Sequence, residues 1–250
     1  MSDKRKFGGR HLSDLSDVFE HNAWDDVEWS DEMQKEAELL IQKNSSDKIP
    51  SELKETHEKY ADFYWNQFYS QHCDRFFKDR SWLKTEFPEL WSASVTSQSS
   101  LSRDFSSDNT KIWEVGCGVG NTVFPLLRAT TSTFIYASDF SQQSKDYDAS
   151  RCFAFVHDLI EVEVQLPFDP NSLDFILCIF CLSAIDPKKF STVLQNLVKY
   201  MKPGGLFLFR DYGYCDLAQL RFSPGKCLSN NFYLRSDGTR VYFFRQGMFT

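Results

Sequence analysis

Residues 112–121 read Ile-Trp-Glu-Val-Gly-Cys-Gly-Val-Gly-Asn, and no other stretch constrains the fold as strongly. A short apolar run carries the chain into three glycines at alternate positions. A helical segment over 122–128 follows at once. Strand, glycine turn and helix N-terminus in immediate succession build a backbone cradle for a ligand. The spacing is G-x-G-x-G, which differs from the G-x-G-x-x-G of dinucleotide-binding folds.

The pattern beyond the turn alternates. Strands are predicted over 111–115, over 133–138 ending at Asp139, over 152–157 ending at Asp158, and over 173–180. A helix is predicted from about 187 to 201, stopped by Lys202-Pro-Gly-Gly205, with a further strand over 206–210. Strands that alternate with helices imply a mostly parallel, doubly wound α/β sheet of the Rossmann-like kind. Residues 231–244 read as a hairpin turning at Ser236-Asp-Gly-Thr239. The connection over 140–150 is short and polar, so the crossover helix expected there is stunted or missing.

Ahead of the sheet, residues 1 to about 28 look irregular, with Phe19, Trp24 and the adjoining Trp29 as aromatic anchors. Ser30 can cap a helix to about Asn44, and Ser51 a second one to about His72. The second carries aromatic residues at helical spacing, and Trp65 and Tyr69, four apart, share a face. Eight serines between 92 and 107 mark a connection. The expected division is a helical extension over 1–91, that connection over 92–110, and the α/β domain over 111–250.

Ligands of an open parallel sheet bind beyond the carboxyl ends of its strands, and each candidate sits at such an end. Gly116, Gly118 and Gly120 let the backbone approach a ligand closely. Asp139 can accept from two ribose hydroxyls. Asp158, with the Leu159 backbone, can accept from an adenine amino group, and Ile179 can wall the ligand. Glu114, just before the turn, would repel a pyrophosphate and suits a cofactor with a cationic amino-acid end. S-adenosylmethionine is that cofactor, and the set points to a class I methyltransferase.

Composition bounds the rest. Seven cysteines, an odd number, point to a reducing, cytoplasmic setting. Cys178 and Cys181 form the only close pair, within an apolar strand and without a His nearby, and read as core packing; no metal site is expected. No run of 18 apolar residues occurs, so no membrane span is expected. The net charge is −7, yet residues 199–250 carry +5. A basic final fifth on an acidic chain suits a polyanionic partner.

Six stretches carry a resemblance: residues 21–29 (His-Asn-Ala-Trp-Asp-Asp-Val-Glu-Trp), Phe76-Phe-Lys-Asp-Arg80, Glu114-Val-Gly-Cys-Gly-Val-Gly-Asn121, Arg151-Cys-Phe-Ala-Phe-Val-His-Asp158, Arg210-Asp-Tyr-Gly213, and Asn231-Phe-Tyr with Asp237-Gly-Thr-Arg-Val-Tyr-Phe-Phe244. On these the chain resembles the tRNA 3-methylcytidine methyltransferases of the methyltransferase-like family, in the threonine/arginine tRNA branch. The resemblance implies methylation of N3 of cytidine 32 in the anticodon loop. It implies cofactor contacts at Trp65, Tyr69, Gly116, Asp139, Asp158, Leu159 and Ile179. Threonine, arginine or serine tRNAs are the implied partners, with an aminoacyl-tRNA synthetase or accessory tRNA-binding protein as a further candidate and no membrane partner. N3 of neutral cytosine carries a lone pair, so catalysis is chiefly alignment and desolvation. Asp79 or Asp211 is the candidate acid beside the developing cation. Phe76 or Phe77 would stack on the unpaired base, while Lys78, Arg80 and Arg210 would hold phosphates.

Three departures from the family pattern qualify this. Ser81 stands where the family has His, the connection after Asp139 is short, and the chain ends after the hairpin where the family continues with a helix and two strands. About five strands and one uncovered sheet edge are therefore expected. Two competing readings follow: a catalytically impaired RNA- or partner-binding protein, and a methyltransferase acting on a protein or metabolite.

Overall fold

The fold was obtained as a computed structural model and is described for residues 30–72, 78–80, 82–92, 110–140, 150–162 and 164–248. Phe76, Phe77, Ser81, the serine-rich connection and most of the connection after Asp139 lie outside the described residues.

A five-stranded parallel sheet forms the centre, in the order β3-β2-β1-β4-β5. Its strands are β1 (Thr110–Val115), β2 (Thr133–Asp139), β3 (Cys152–Val156), β4 (Leu173–Ile179) and β5 (Met201–Arg210). The interior strand β4 is buried at all seven positions, which explains why its sequence is apolar except at Asp174, whose carboxylate accepts from the Lys111 N–H and from Lys202. A strand covered on both faces has no side that must stay polar. Successive residues split between two cores. Ile112, Phe175 and Leu177 pack with Val123, Leu126 and Leu127 of α6 (Val123–Ala129) on one face. Trp113, Ile176 and Cys178 pack with Phe190, Val193 and Leu197 of α7 (Phe190–Val198) on the other. Leu83 and Leu90, from α4 (Leu83–Glu86) and α5 (Glu89–Ser92), close the α6 side. Arg151 donates to the Leu127 and Thr130 carbonyls and satisfies the end of α6.

The helical extension contains α1 (Asp31–Asn44), α2 (Ser51–Lys59) and α3 (Ala61–His72). Ser30 caps α1 as expected, its hydroxyl accepting from the Met33 N–H at 3.2 Å. The single helix expected over 51–72 is instead two, because the backbone leaves helical geometry at Tyr60 (φ −110, ψ 29). Polar and aromatic residues alone carried no signal for that break.

The expected hairpin is present as β7 (Phe232–Leu234) and β8 (Arg240–Tyr242), and β6 (Cys227–Ser229) adds a third antiparallel strand. A short helix, α8 (Leu217–Leu220), precedes it. This small sheet packs against the helical extension. Ile49 N–H donates to the Cys227 carbonyl at 2.9 Å, Asn44 reaches the Leu220 carbonyl at 3.2 Å, and the Ser45 and Tyr233 hydroxyls bond at 2.8 Å. Residues 202–205, expected as a helix stop, belong to the start of β5. A register irregularity between Leu173 and Phe175 absorbs Pro203 and the two glycines there. As expected, β5 stands at one sheet edge, with Phe207 and Phe209 half-buried.

Candidate cofactor and substrate site

The glycine turn projects from the carboxyl end of β1. Gly116, Gly118 and Gly120 all adopt left-handed backbone, with φ of +67, +51 and +87, a conformation that disfavours side chains. A Cβ at Gly116 would overlap the Cys181 sulfur, and one at Gly118 would overlap the Tyr69 hydroxyl. The turn is thus a cradle that any side chain would fill. Asp139 closes it, accepting from the Gly118 N–H at 2.8 Å.

A cavity of about 610 Å³ opens on this turn. Gly116, Asp139, Asp158 and Leu159 form one wall, and Trp65 and Tyr69 of α3 lie over it. The structure therefore brings six of the expected cofactor residues together around one space, and Gly118 makes a seventh through its bond to Asp139. Ile179 is buried beneath, and its neighbours Phe180 and Cys181 do the lining. Asp158 is also a turn residue, accepting from the Ile160 N–H at 3.1 Å. Burial, and secondarily the charge on Asp139, raises the Tyr69 phenol above its ordinary pKa, so it stays a neutral hydroxyl. The cradle, the strand-end carboxylate and the aromatic cover fit S-adenosylmethionine.

Glu114 does not face this cavity. It is fully buried, with its nearest charge, Arg80 Nη1, 3.5 Å away. Arg80 also donates to the Thr122 hydroxyl at 2.7 Å, and its backbone N–H to the Asn121 carbonyl at 2.9 Å. Burial pushes the Glu114 carboxyl up to about 7, although Arg80 and Thr122 act the other way. The argument that this acid meets the cationic end of the cofactor is thereby corrected: its partner is Arg80, below the turn.

The remaining candidates are spread out. Asp79 pairs with Arg128 of α6 at the surface, and neither lines the cavity. Lys78 is exposed. Arg210 pairs with Glu86 at 2.5 Å and lies over the Trp82 ring. Asp211 follows β5 and accepts from the Ser183 and Tyr212 N–H groups, each at 2.9 Å. Burial raises its carboxyl to about 6.

Several residues escaped the sequence reading. Phe180, expected as the last strand residue, instead adopts left-handed backbone (φ +53) and lines the cavity. For a bulky side chain this is a strained geometry of the kind found at ligand sites. Arg80 lies over its face at 5.7 Å. Tyr212 packs against it at 5.0 Å, and Arg235 lies over Tyr212 at 5.4 Å. At the cavity rim, Glu58 of α2 binds Lys189 at 2.5 Å and also binds the buried Arg240 of β8. Strand-end position could have suggested Phe180, but nothing local marks Glu58. A hydrogen bond with Cys178, together with burial, raises the Cys181 thiol well above its ordinary pKa. No cluster of metal-ligand type occurs among the described residues, and no helix there is long and apolar enough to cross a membrane.

A methyltransferase-domain family model matches residues 113–207. The tRNA N(3)-cytidine methyltransferase METTL2 of Xenopus tropicalis is 46% identical over 98% of this chain and 83% of its own length. The tRNA N(3)-methylcytidine methyltransferase Mettl2 of Drosophila melanogaster is 47% identical over 96% of this chain and 74% of its own. The human METTL2B protein, also a tRNA N(3)-cytidine methyltransferase, is 42% identical over 98% and 83%.

Proposed function

Because the chain belongs to the tRNA N(3)-cytidine methyltransferase family, we propose that it transfers a methyl group from S-adenosylmethionine to N3 of a cytidine in the anticodon loop of tRNA. One observation carries the assignment: the cavity against Gly116, Asp139 and Asp158, with Phe180 at its wall and Trp65 and Tyr69 over it. Bound S-adenosylmethionine supplies an electrophilic sulfonium methyl.

The residues have the following proposed tasks. Asp139 accepts from the ribose hydroxyls while its bond to Gly118 N–H holds it at the turn. Asp158 and the Leu159 backbone meet the adenine edge, and Ile179 supports that wall from beneath. No residue must remove a proton from N3, since the neutral base has none there. Alignment and exclusion of water therefore provide the acceleration. Phe180, backed by Arg80 and Tyr212, offers the aromatic face for an unpaired base. Asp211, ionised above about pH 6, is the better candidate than Asp79 to oppose the positive charge that methylation places on the base. Phe76, Phe77, Lys78 and Arg210 remain proposed RNA contacts, with Lys78 the most available cation. Threonine, arginine or serine tRNAs are the proposed substrates. An aminoacyl-tRNA synthetase or accessory tRNA-binding protein is a proposed partner, and the cytoplasm the proposed location.

The test is 3-methylcytidine formation in purified tRNA transcripts, quantified after nuclease digestion, with Asp139→Ala beside the wild type. Methylation at N3 that is lost in the variant supports the proposal. Methyl transfer to protein or free nucleoside at equal rate, or none to tRNA, refutes it.

A further inference from the structure

Charged side chains at the cavity rim form a connected set. Lys54 and Glu58 lie four apart on α2 and share a face. Both reach the short helical turn Pro187–Lys189, which follows β4 and leads into α7. Lys54 Nζ stands 3.8 Å from the carboxylate of Asp186, and Lys189 Nζ donates to Glu58 Oε1 at 2.5 Å. The other Glu58 oxygen accepts from Arg240 of β8. Asp186 is itself held in place, accepting from the Lys188 N–H at 2.9 Å. The two bridges to the turn have opposite polarity. A one-turn slide of α2 would set Lys54 beside Lys189 or Glu58 beside Asp186, so the charges fix register as well as proximity.

The element that this clamp governs is α3. Helices α2 and α3 meet at Tyr60 alone, and helical hydrogen bonds continue on both sides of it. The Tyr60 N–H donates to the Thr56 carbonyl at 3.0 Å, and its carbonyl accepts from the Tyr64 N–H at 3.2 Å. The junction is a bend without a linker, so the direction of α2 sets that of α3. Across the bend the His57 and Tyr64 rings stack at 4.4 Å, and a Cβ at Gly238 would overlap the Tyr64 ring. Trp65 and Tyr69 thereby lie over the cofactor cavity, whose rim carries Glu58, Lys189 and Arg240.

Resting on the S-adenosylmethionine reading above, we propose that Glu58 and Lys189 are positioning residues for cofactor binding: with Lys54 and Asp186 they fix α2 on the turn after β4 and so hold Trp65 and Tyr69 over the cavity. A ligand that needs the covered state binds with an apparent dissociation constant equal to the intrinsic one divided by the fraction of molecules in that state. Weakening the clamp lowers this fraction, and the resulting factor is the same for every ligand the cover encloses. A direct electrostatic role would behave differently. Glu58 is an anion and Lys189 a cation, so removing them would shift the binding of a cationic sulfonium in opposite directions. The uncharged thioether of S-adenosylhomocysteine would be affected far less.

The experiment measures S-adenosylmethionine and S-adenosylhomocysteine binding to the whole protein by calorimetry, in wild type, Glu58→Gln, Lys189→Met, Lys189→Arg and Lys202→Met. Glu58→Gln and Lys189→Met should each weaken both ligands by about threefold to tenfold, leaving their ratio unchanged, as the covered fraction falls to about a third or a tenth. Lys189→Arg keeps the cation and should bind both within about twofold of wild type. Lys202→Met breaks an ion pair with Asp174 at the amino-terminal end of the strands, away from the cavity, and should change neither affinity. Amide hydrogen exchange over residues 61–72 should rise in Glu58→Gln and Lys189→Met and stay at the wild-type level in Lys202→Met. Affinities within twofold of wild type in both clamp variants, shifts of opposite sign, a change confined to S-adenosylmethionine, no recovery in Lys189→Arg, or an equal loss in Lys202→Met overturns the positioning role and leaves the methyltransferase reading intact. Wild-type protein that binds neither ligand overturns both.

Discussion

Gly118 and Tyr69 form one of the contacts through which the helical extension touches the glycine turn, and Gly118→Ala tests its importance. Two costs follow from the geometry. Gly118 has a φ of +51, and a side chain in left-handed backbone costs roughly 1–2 kcal/mol. The new Cβ would also overlap the Tyr69 hydroxyl, while the ring carbon Cζ would lie 3.1 Å away. Tyr69 is 8% exposed and packs with Phe68 and Val119, and displacing such a ring forfeits about 1.5–3 kcal/mol of burial. The single variant should therefore lose about 3–5 kcal/mol, lowering the melting temperature by about 10 °C for a chain of this size. Tyr69→Phe removes the overlapping oxygen and keeps the ring, and alone should cost about 1 kcal/mol or less. In the double variant only the backbone cost and a 3.1 Å contact remain. Its loss should be smaller than the sum of the singles by about 1–2 kcal/mol, within the range measured for touching residues. Urea unfolding of the four proteins gives the coupling, and calorimetric titration of S-adenosylmethionine should show the same partial rescue. Additivity within about 0.3–0.5 kcal/mol, the behaviour of independent sites, would refute the contact and with it the aromatic cover.

Three further outcomes are expected. Asp139→Asn keeps the shape but loses the charge at the turn, and should weaken cofactor binding more than tenfold, since hydrogen bonds to charged groups contribute roughly 1.5–3 kcal/mol; an unchanged calorimetric dissociation constant would remove Asp139 from the site. Glu58→Gln leaves Arg240, only 6% exposed, without its anion. Because Glu58 itself is partly exposed, the loss should fall below the 3–5 kcal/mol of a fully buried pair, at about 2 kcal/mol, or some 5 °C of melting temperature; a shift under a degree would show that the clamp is idle. Glu114 has a folded-state pKa of about 7 against an ordinary 4.5, so the folded protein binds the extra proton. Its favourable contribution is complete below pH 4.5 and is lost as pH rises to 7, at most about 3 kcal/mol. Stability curves of wild type and Glu114→Gln should converge toward low pH and separate across that interval; parallel curves would show that the pKa is not raised.

The sheet and its cradle were legible in the sequence because each depends on local signals. Alternating apolar strands, glycine at positions of positive φ and acids at strand ends are all set by neighbouring residues. What the sequence hid depends on distant partners. Glu114 was read as facing the ligand because nothing near it in sequence reveals Arg80, 34 residues earlier. The break at Tyr60 has no glycine or proline to announce it. Strand β6, three residues long, is too short for an alternation to register. Phe180 was assigned to the strand because an apolar residue continues an apolar run, whereas its backbone turns over at that point. The Glu58 clamp joins residues 131 and 182 positions apart, a distance at which periodicity is blind.

The docking of the helical extension on the small sheet also bears on how the chain is made. Asn44 meets Leu220 across 176 residues, and Ser45 meets Tyr233 across 188. At ribosomal speeds of roughly 5–20 residues per second, α1 and α2 emerge about 10–35 s before the surface they dock on exists. During that interval Ile41 and Ile49, buried in the finished fold, have no native partner there. These early-made helices are therefore among the last to find their places, and α3, which lies over the cavity at the glycine turn, waits with them. Cofactor capture during synthesis thus depends on a late, long-range closure rather than on the early appearance of the glycine turn.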